Sequence, residues 1–255
     1  EEAFKVAVDA HLKHGTTSIF PTLSSSTVPM IEAAAETCTK LMAEPNSPVL
    51  GLHLEGHYLN MAMAGGQIPE NIKNPDPNEY IPLVEKWDCI KRWDAAPEVA
   101  NADKFARLLK EKGIICAVAH TDAIAEEAVA GYEAGFSHVT HFYNATTAYK
   151  KRDQVVTAGV VEATYLNDDV TVELICDGKH IPHKCLLLAL KIKGADKVIG
   201  ITDANRIACT NMQSGKLGSL KNGGDMIVDE VSSLNLYLTE SSSYTGAINT
   251  DGAAG

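Results

Sequence analysis

Short apolar runs alternate with amphipathic segments of helical period along most of the chain, and this alternation constrains the fold more than any other feature of the sequence. Several runs are apolar almost throughout, which is typical of parallel strands that are buried on both faces. We predict six strands, at residues 17–20, 49–54, 114–119, 138–141, 171–176 and 198–202, with a possible seventh at 92–95.

The segments between these strands predict helices, at residues 28–42, 102–112, 125–134 and 183–193. Repeated strand-then-helix units imply right-handed crossovers and a parallel sheet. Six or seven such strands favour a closed barrel over an open sheet. Residues 60–79 form a long loop rich in Gly, Pro and Asn, and loops of that length are usually functional or disordered. After Thr210 the pattern changes to antiparallel strands or irregular segments.

Composition and charge exclude several classes of function. The chain has 255 residues and a formal net charge of −11, without the clustered Lys and Arg that bind nucleic acid. It contains no apolar run of the roughly 20 residues needed to span a bilayer. Its six cysteines are scattered with no CxxC pair, and it opens on Glu1 and Glu2 without a secretory leader. We therefore expect a reduced, cytoplasmic protein that binds neither nucleic acid nor membrane.

Polar side chains follow five of the predicted strands where each strand ends. In a β/α barrel these positions converge on the carboxyl-terminal mouth, where active sites are built. Each alone is a weak signal, and five together are a strong one. The residues concerned are Glu55, His120, His141, Asp177 and Asp203.

Glu55, His120 and His141 supply one carboxylate and two imidazoles, which is the ligand set of a catalytic divalent metal site. A bound metal lowers the pKa of its water and polarises a carbonyl oxygen. Asp203 would take the proton from that water and deliver it to a leaving nitrogen. A lone histidine at a strand end is more often structural, but the three residues together favour a metal. His53 and His138 are expected to be structural.

The motifs around these residues are similar to those of the N-acetylglucosamine-6-phosphate deacetylases, a family of the amidohydrolase superfamily. The resemblance covers most of the chain in the family's order, from the first helix to about Thr250. The matching segments are Gly51-Leu-His-Leu-Glu55-Gly, Ala119-His120-Thr, Thr140-His141-Phe-Tyr-Asn144-Ala145, Asp177-Gly-Lys-His180, Thr202-Asp203-Ala and Gly15-Thr-Thr-Ser-Ile-Phe-Pro21-Thr-Leu.

The resemblance implies roles for individual residues. It assigns the divalent metal to Glu55, His120 and His141, and the general base and acid to Asp203. Zinc suits these ligands best, although Fe²⁺, Mn²⁺ and Co²⁺ are compatible. One metal is expected. Arg152 matches an arginine that reaches the substrate phosphate of a neighbouring subunit, which implies a homodimer. The remaining implied substrate contacts are Gly66, Gln67, Asn144, Ala145, His180, Tyr244, Thr245 and Gly246.

The chain also departs from the family's pattern. Gln67 stands where many members have a histidine that polarises the acetyl carbonyl, and a glutamine amide donates a hydrogen bond without carrying charge. His57 replaces a proline and offers a possible extra ligand, while Asn205 and Arg206 replace smaller residues. The family's amino-terminal β domain, its first barrel strand and its closing elements have no counterpart here.

We therefore predict a TIM-like (β/α)8 barrel of the amidohydrolase type that is truncated at both ends. Residues 1–210 would form the barrel, and residues 211–255 a β-rich or irregular segment that completes the substrate pocket. The implied reaction is hydrolysis of N-acetylglucosamine 6-phosphate to glucosamine 6-phosphate and acetate. Two alternatives stay open: another N-acyl amino sugar phosphate as substrate, such as N-acetylgalactosamine 6-phosphate, or a barrel that binds a sugar phosphate without catalysis.

Overall fold

The structure is a computed structural model that describes residues 1–152, 154–205, 208 and 214–216, together with the backbone of residues 225–229, 234–238 and 246–249. The helices in these residues are α1 (Glu2–Lys13), α2 (Val28–Met42), α3 (Pro77–Lys86), α4 (Ala102–Glu111), α5 (Ala125–Ala134), α6 (Val160–Tyr165) and α7 (His183–Lys193). The strands are β1 (Thr22–Ser24), β2 (Leu52–Tyr58), β3 (Ile90–Ala95), β4 (Ile115–Val118), β5 (Phe136–Val139), β6 (Lys150–Arg152), β7 (Val155–Thr157), β8 (Thr171–Ile175), β9 (Val198–Ile201), β10 (Ser214–Lys216), β11 (Asp225–Asp229), β12 (Leu234–Leu238) and β13 (Gly246–Asn249).

Seven parallel strands form the main sheet, in the order β1-β2-β3-β4-β5-β8-β9. The sheet curls into a half-barrel with helices in the connections between most neighbouring strands. This arrangement confirms the predicted TIM-like α/β fold, and the seventh strand predicted at 92–95 is present within β3. Because the strands are parallel, their carboxyl ends meet along one edge, and that edge carries the predicted site.

The core lies between the outer face of the sheet and the helices. In α2, Ile31, Ala35 and Cys38 recur at helical spacing and are almost fully buried. Trp93 of β3 stacks on Tyr58 at a ring-centroid distance of 5.5 Å, and its indole donates a hydrogen bond to a backbone carbonyl. Burial of such large side chains is the main contribution to the stability of this layer.

Helix α5 ends where the sequence predicts, because Gly135 has a left-handed backbone with φ of 138°. A Cβ at this position would approach the Ala106 carbonyl oxygen at 2.9 Å, so a side chain is excluded sterically as well as conformationally. Helix α4 packs against α5 at this point. Glycine is therefore required here both to stop the helix and to let α4 approach.

Three predicted strand positions are wrong, and one of them is 49–54, where the strand is β2 and extends past Glu55. Within residues 17–20, Ile19 makes one isolated bridge to Val49, and the strand itself forms later at β1. Pro21 interrupts the hydrogen-bonding ladder between the two stretches because it has no N–H to donate. The strand predicted at 138–141 ends at Val139, and His141 lies beyond it with a left-handed φ of 32°.

The long loop at 60–79 is partly helical. It contains two 3-10 turns, Met61–Met63 and Pro69–Asn71, before α3 begins within its last residues. Towards the carboxyl terminus, β10 to β13 form an antiparallel four-stranded sheet, which agrees with the predicted change of pattern after Thr210. The domain boundary between residues 210 and 211 stays a prediction. Among the described residues, none of the helices combines the length and the apolar character that a membrane crossing requires.

Candidate metal centre

Three side chains from three strands of the sheet converge at its carboxyl edge. Glu55 lies within β2, while His120 and His141 follow β4 and β5. The Glu55 Oε1 atom is 3.0 Å from Nε2 of His120 and 3.1 Å from Nε2 of His141. The two Nε2 atoms are themselves 3.2 Å apart. The structure therefore brings together the three ligands that the sequence predicted.

Backbone carbonyls orient both imidazole rings. Nδ1 of His120 lies 2.8 Å from the carbonyl oxygen of Met63, and Nδ1 of His141 lies 3.1 Å from that of Asn144. A carbonyl only accepts hydrogen bonds, so each Nδ1 carries the donated proton. In the neutral tautomer each Nε2 then presents a lone pair to the centre of the cluster. Carbonyl partners of this kind commonly orient metal-ligating histidines.

These residues fit a divalent metal. Ligand bonds of about 2.0–2.1 Å in a tetrahedral site separate the ligand atoms by roughly 3.3 Å, close to the distances found here. Without a cation, two facing lone pairs and a carboxylate repel one another. Burial opposes a charged His141, but hydrogen bonding to Glu55 and the charges of Glu55 and Asp203 outweigh it and raise the pKa of His141 to about 9. The site thus attracts positive charge strongly.

Several residues of this edge have left-handed backbone conformations. The φ angles are 45° for His120, 32° for His141 and 49° for Asp203. Such conformations cost a non-glycine residue on the order of 1–3 kcal/mol and persist only where surrounding contacts impose them. They cluster at functional sites, as they do here.

Asp203 follows β9 at the same edge and is half-buried. Burial, followed by the negative charge of Glu55, raises the pKa of its carboxyl well above the usual range. A carboxyl group whose pKa is raised in this way holds a proton more readily than an ordinary carboxyl group, as a general acid must. The charges of the ligands Glu55 and His141 therefore influence the pKa of Asp203, the predicted base and acid. Its catalytic role stays a prediction.

A second group of polar side chains fills the inside of the half-barrel below the ligands. We call His53, Arg92, Asp94, His138 and Glu173 the lower layer; all five are buried. The guanidinium of Arg92 forms two hydrogen bonds with the Glu173 carboxylate, one of them 2.8 Å long, and its Nε lies 3.3 Å from Asp94 Oδ1. Nε2 of His53 lies 2.9 Å from the same Asp94 oxygen.

The predicted structural roles of His53 and His138 agree with their place in this layer. The sequence argument missed Arg92, Asp94 and Glu173. A signal was present, since Arg92 and Asp94 alternate within an otherwise apolar strand, and alternate residues share one face.

The predicted substrate contacts differ in how the structure places them. The Gln67 side chain is buried, and its Oε1 accepts a hydrogen bond of 2.7 Å from the Ser25 N–H, so only the amide nitrogen is left to donate. The Asn144 amide nitrogen is buried without a partner among the described residues. The Ala145 carbonyl accepts a hydrogen bond of 3.0 Å from the Thr121 N–H, which links two loops of the site.

The other predicted contacts lie further along the chain. His180 Nδ1 lies 2.5 Å from Asp177 Oδ2, so Asp177 orients the histidine ring. Arg152 ends β6, and its side chain lies outside the described residues. Tyr244 and Thr245 also lie outside them, and Gly246 begins β13. Gly66 lies in the loop after β2. These roles stay predictions.

His57 does not join the ligands, contrary to the possibility raised by its position after Glu55. Its Nε2 lies 2.5 Å from Glu79 Oε1, and Glu79 also accepts a hydrogen bond of 2.6 Å from Lys73. His57 therefore fastens the end of β2 to α3 and to the loop between them. Arg206, the other notable departure, lies outside the described residues.

The curled parallel sheet and the ligand cluster at its carboxyl edge define a TIM-like barrel of the amidohydrolase type. No family model matches the chain. The chain is 33% identical over 202 residues to N-acetylglucosamine-6-phosphate deacetylase of Lysinibacillus sphaericus, covering 76% of this chain and 50% of the relative. It is 27% identical over 203 residues to N-acetylgalactosamine-6-phosphate deacetylase of Shewanella sp. strain ANA-3, covering 80% and 50%.

A solved structure agrees with these relatives. The crystal structure of N-acetylglucosamine-6-phosphate deacetylase from Pasteurella multocida matches with a TM-score of 0.79 and 26% identity, over 98% of this chain and 60% of that one. The predicted resemblance to the N-acetylglucosamine-6-phosphate deacetylases is thereby confirmed. The chain spans about half the length of the curated relatives it matches.

Proposed function

We propose that this protein catalyses the metal-dependent deacetylation of N-acetylglucosamine 6-phosphate. The observation that carries the proposal is the convergence of Glu55, His120 and His141, with Asp203 beside them, in a chain similar to deacetylases of amino sugar phosphates. Water attacks the acetamide carbonyl carbon, the C–N bond breaks, and acetate and the free amine leave. Among the candidate metals, zinc best suits two imidazoles and a carboxylate, and one ion is proposed.

The chain's own residues divide the work. Glu55 and the two histidines hold the metal, which when bound supplies an acidified water and polarises the carbonyl oxygen. Asp203 accepts a proton from the water and later donates it to the leaving nitrogen. Its raised pKa supports the second step, because the group must hold a proton before it donates that proton to the nitrogen. The left-handed conformations of the two histidine ligands support a site held in one geometry.

Polar groups around the cluster would bind the sugar phosphate. The Asn144 amide nitrogen, which has no partner among the described residues, and the Gln67 amide nitrogen are candidates to bind the acetyl and sugar oxygens. His180, with Nδ1 held by Asp177, presents Nε2 to the substrate. Gly66, Ala145, Tyr244, Thr245 and Gly246 complete the proposed contacts. Arg152 would reach the phosphate in the neighbouring subunit of a homodimer, and we place this protein in the cytoplasm.

The proposal is tested by measuring bound metal and acetate release together. The parent chain, Glu55→Gln and the exposed control Glu133→Gln are loaded with Zn²⁺ and given N-acetylglucosamine 6-phosphate. We expect about one metal per chain and acetate release in the parent and the control, with both lost in Glu55→Gln. Bound metal without acetate release would overturn the substrate assignment. A parent that binds no metal would favour a barrel that binds without catalysis.

A second substrate is supported by the relative from Shewanella, which is named as an N-acetylgalactosamine-6-phosphate deacetylase. The two substrates are epimers, so the same ligands and the same acid and base would serve both. The ratio of kcat/KM for the two sugars, measured on one preparation, separates them. A ratio above about ten, equivalent to about 1.4 kcal/mol of transition-state binding, assigns the preferred epimer.

A further inference from the structure

The Glu98 carboxylate lies in the loop after β3 and contacts the segments that follow two neighbouring strands. Its Oε1 accepts hydrogen bonds of 2.8 Å from the Asn60 side-chain amide and 2.8 Å from the Asp122 N–H. Its Oε2 accepts a hydrogen bond of 2.6 Å from the hydroxyl of Thr121. Both oxygens are thus engaged by the loops after β2 and β4, and bonds to a charged acceptor are stronger than neutral ones.

One arm of these contacts leads to the ring of His120. The Asn60 Oδ1 atom accepts a hydrogen bond of 2.9 Å from the Ala62 N–H and so caps the 3-10 turn Met61–Met63. The carbonyl at the end of that turn, from Met63, is the group that accepts the hydrogen bond from His120 Nδ1 at 2.8 Å. A shift of Asn60 therefore moves the acceptor that orients the ring.

The other arm leads to the backbone of His120. Thr121 is fully buried, and its hydroxyl accepts a hydrogen bond of 3.0 Å from the Ala123 N–H while donating to Glu98. The Asn60 N–H also donates to the His120 carbonyl at 3.0 Å. His120 adopts a left-handed conformation that neighbouring contacts must impose, and these contacts lie on both sides of it.

We propose that Glu98 is a positioning residue, which holds His120 in ligand geometry by tying Asn60 on one side and Thr121 on the other. The inference rests on the metal site of the proposed function but not on the identity of the substrate. Glu98 touches neither the metal ligands nor the reacting atoms, and it acts through the two loops. Its carboxylate contacts the segments after both β2 and β4.

The test is Co²⁺ affinity of the full chain, followed by the visible absorption of the bound ion. Glu98→Ala removes all three acceptor contacts, and we expect Co²⁺ binding to weaken by about 10- to 100-fold with an altered spectrum. Glu98→Gln keeps an oxygen for Asn60 and Asp122 and should recover part of the loss. The control Glu133→Ala removes the same charge from the exposed face of α5 and should bind within twofold of the parent.

A folded Glu98→Ala that binds Co²⁺ like the parent, with the same spectrum, overturns the inference even if its stability falls. Should that variant fail to fold, parental Co²⁺ affinity in both Glu98→Gln and Thr121→Val overturns it instead. A parent that binds no Co²⁺ overturns it as well. If Glu98→Ala binds Co²⁺ more weakly but the parent releases no acetate, the positioning role is supported and the proposed function is contradicted.

Discussion

The ligand cluster and the lower layer are both polar groups inside the same half-barrel, yet they differ in how their charges are balanced. In the lower layer Arg92 lies between two carboxylates, those of Asp94 and Glu173, so that the protein supplies the cation. In the ligand cluster the carboxylate of Glu55 meets two nitrogen atoms and, in the part of the chain that the structure describes, no Lys or Arg forms an ion pair with it. The lower layer thus contains its own cation in the folded chain. The ligand cluster contains a cation only when a proton or a metal ion binds.

This difference separates a structural polar network from a functional one. Burial opposes the charge of Glu173, but attraction to Arg92 and hydrogen bonds from His138 and Arg92 outweigh it and lower the pKa well below the usual range. In the cluster burial opposes the charged form of His141, but its hydrogen bond to Glu55 and the charges of Glu55 and Asp203 outweigh that and raise the pKa of His141 to about 9. Burial alone therefore does not show whether a polar group is structural or functional. The partner that neutralises its charge does.

The largest expected effect is on catalysis. Asp203→Asn keeps the ligands and removes the proton-transfer group, so turnover should fall by about 10²- to 10⁴-fold while Zn²⁺ content stays at the parental level. The free energy of unfolding should change little, because asparagine has nearly the same size and shape as aspartate and Asp203 is only half-buried. Steady-state kinetics with metal analysis checks this, and near-parental turnover would remove Asp203 from the mechanism.

The next effect falls on stability and concerns the lower layer. Arg92→Met leaves the buried carboxylates of Asp94 and Glu173 without their cation, so the free energy of unfolding should fall by about 3–5 kcal/mol. Urea unfolding of the metal-free chain measures it. The exposed Arg107 of α4 offers a matched control, and Arg107→Met should lie within about 0.5 kcal/mol of the parent. Equal losses of unfolding free energy in both variants would contradict the idea that Arg92 is the cation that stabilises the buried carboxylates of this layer.

Metal addition should stabilise the chain through the ligand cluster alone. At a free Zn²⁺ concentration one hundred times Kd, the parent should gain about 2.7 kcal/mol in free energy of unfolding. Glu55→Gln should gain much less, because it lacks the carboxylate that binds the metal. Thermal unfolding with and without Zn²⁺ provides the measurement. A full gain in Glu55→Gln would place the metal elsewhere.

The smallest effect is the acid sensitivity of the lower layer. Because the pKa of Glu173 is lowered on folding, its charged form stabilises the chain above its ordinary pKa near 4.5, and that contribution is lost as pH falls through the lower folded value. Each unit of pKa difference corresponds to about 1.4 kcal/mol. Glu173→Gln should therefore flatten the fall of unfolding free energy below about pH 4.5. If the unfolding free energy of Glu173→Gln falls with pH as steeply as that of the parent, the stabilising role of the Glu173 charge is contradicted.

Much of the fold was predictable from periodicity. The helices at 28–42, 125–134 and 183–193 form where predicted, because apolar residues recur at helical spacing and the segments end at glycine or a change of pattern. The strand predicted at 17–20 was misplaced because Pro21 breaks the ladder, an effect visible only when the neighbouring strand is known. Local pattern thus determined the elements better than their pairing.

The candidate site divides in the same way. The convergence of Glu55, His120 and His141 was predictable because parallel strands bring the residues at their carboxyl ends to one edge. The ion pair between Arg92 and Glu173 in the lower layer was not predictable. Arg92 in β3 and Glu173 in β8 meet only through the curvature of the sheet. The burial of Gln67 was not predictable either. Its side-chain oxygen accepts a hydrogen bond from the Ser25 N–H.

The sequence by itself determined the order of strands and helices, the residue types at the strand ends, and with them the metal-binding chemistry, because these follow from local periodicity and from the direction of parallel strands. Only the tertiary structure decided which buried charges neutralise one another, which carbonyl orients each histidine ring, and that Glu98 joins two loops to His120. Those contacts link residues far apart in the chain at distances near 3 Å, and no local pattern specifies a distance of that kind.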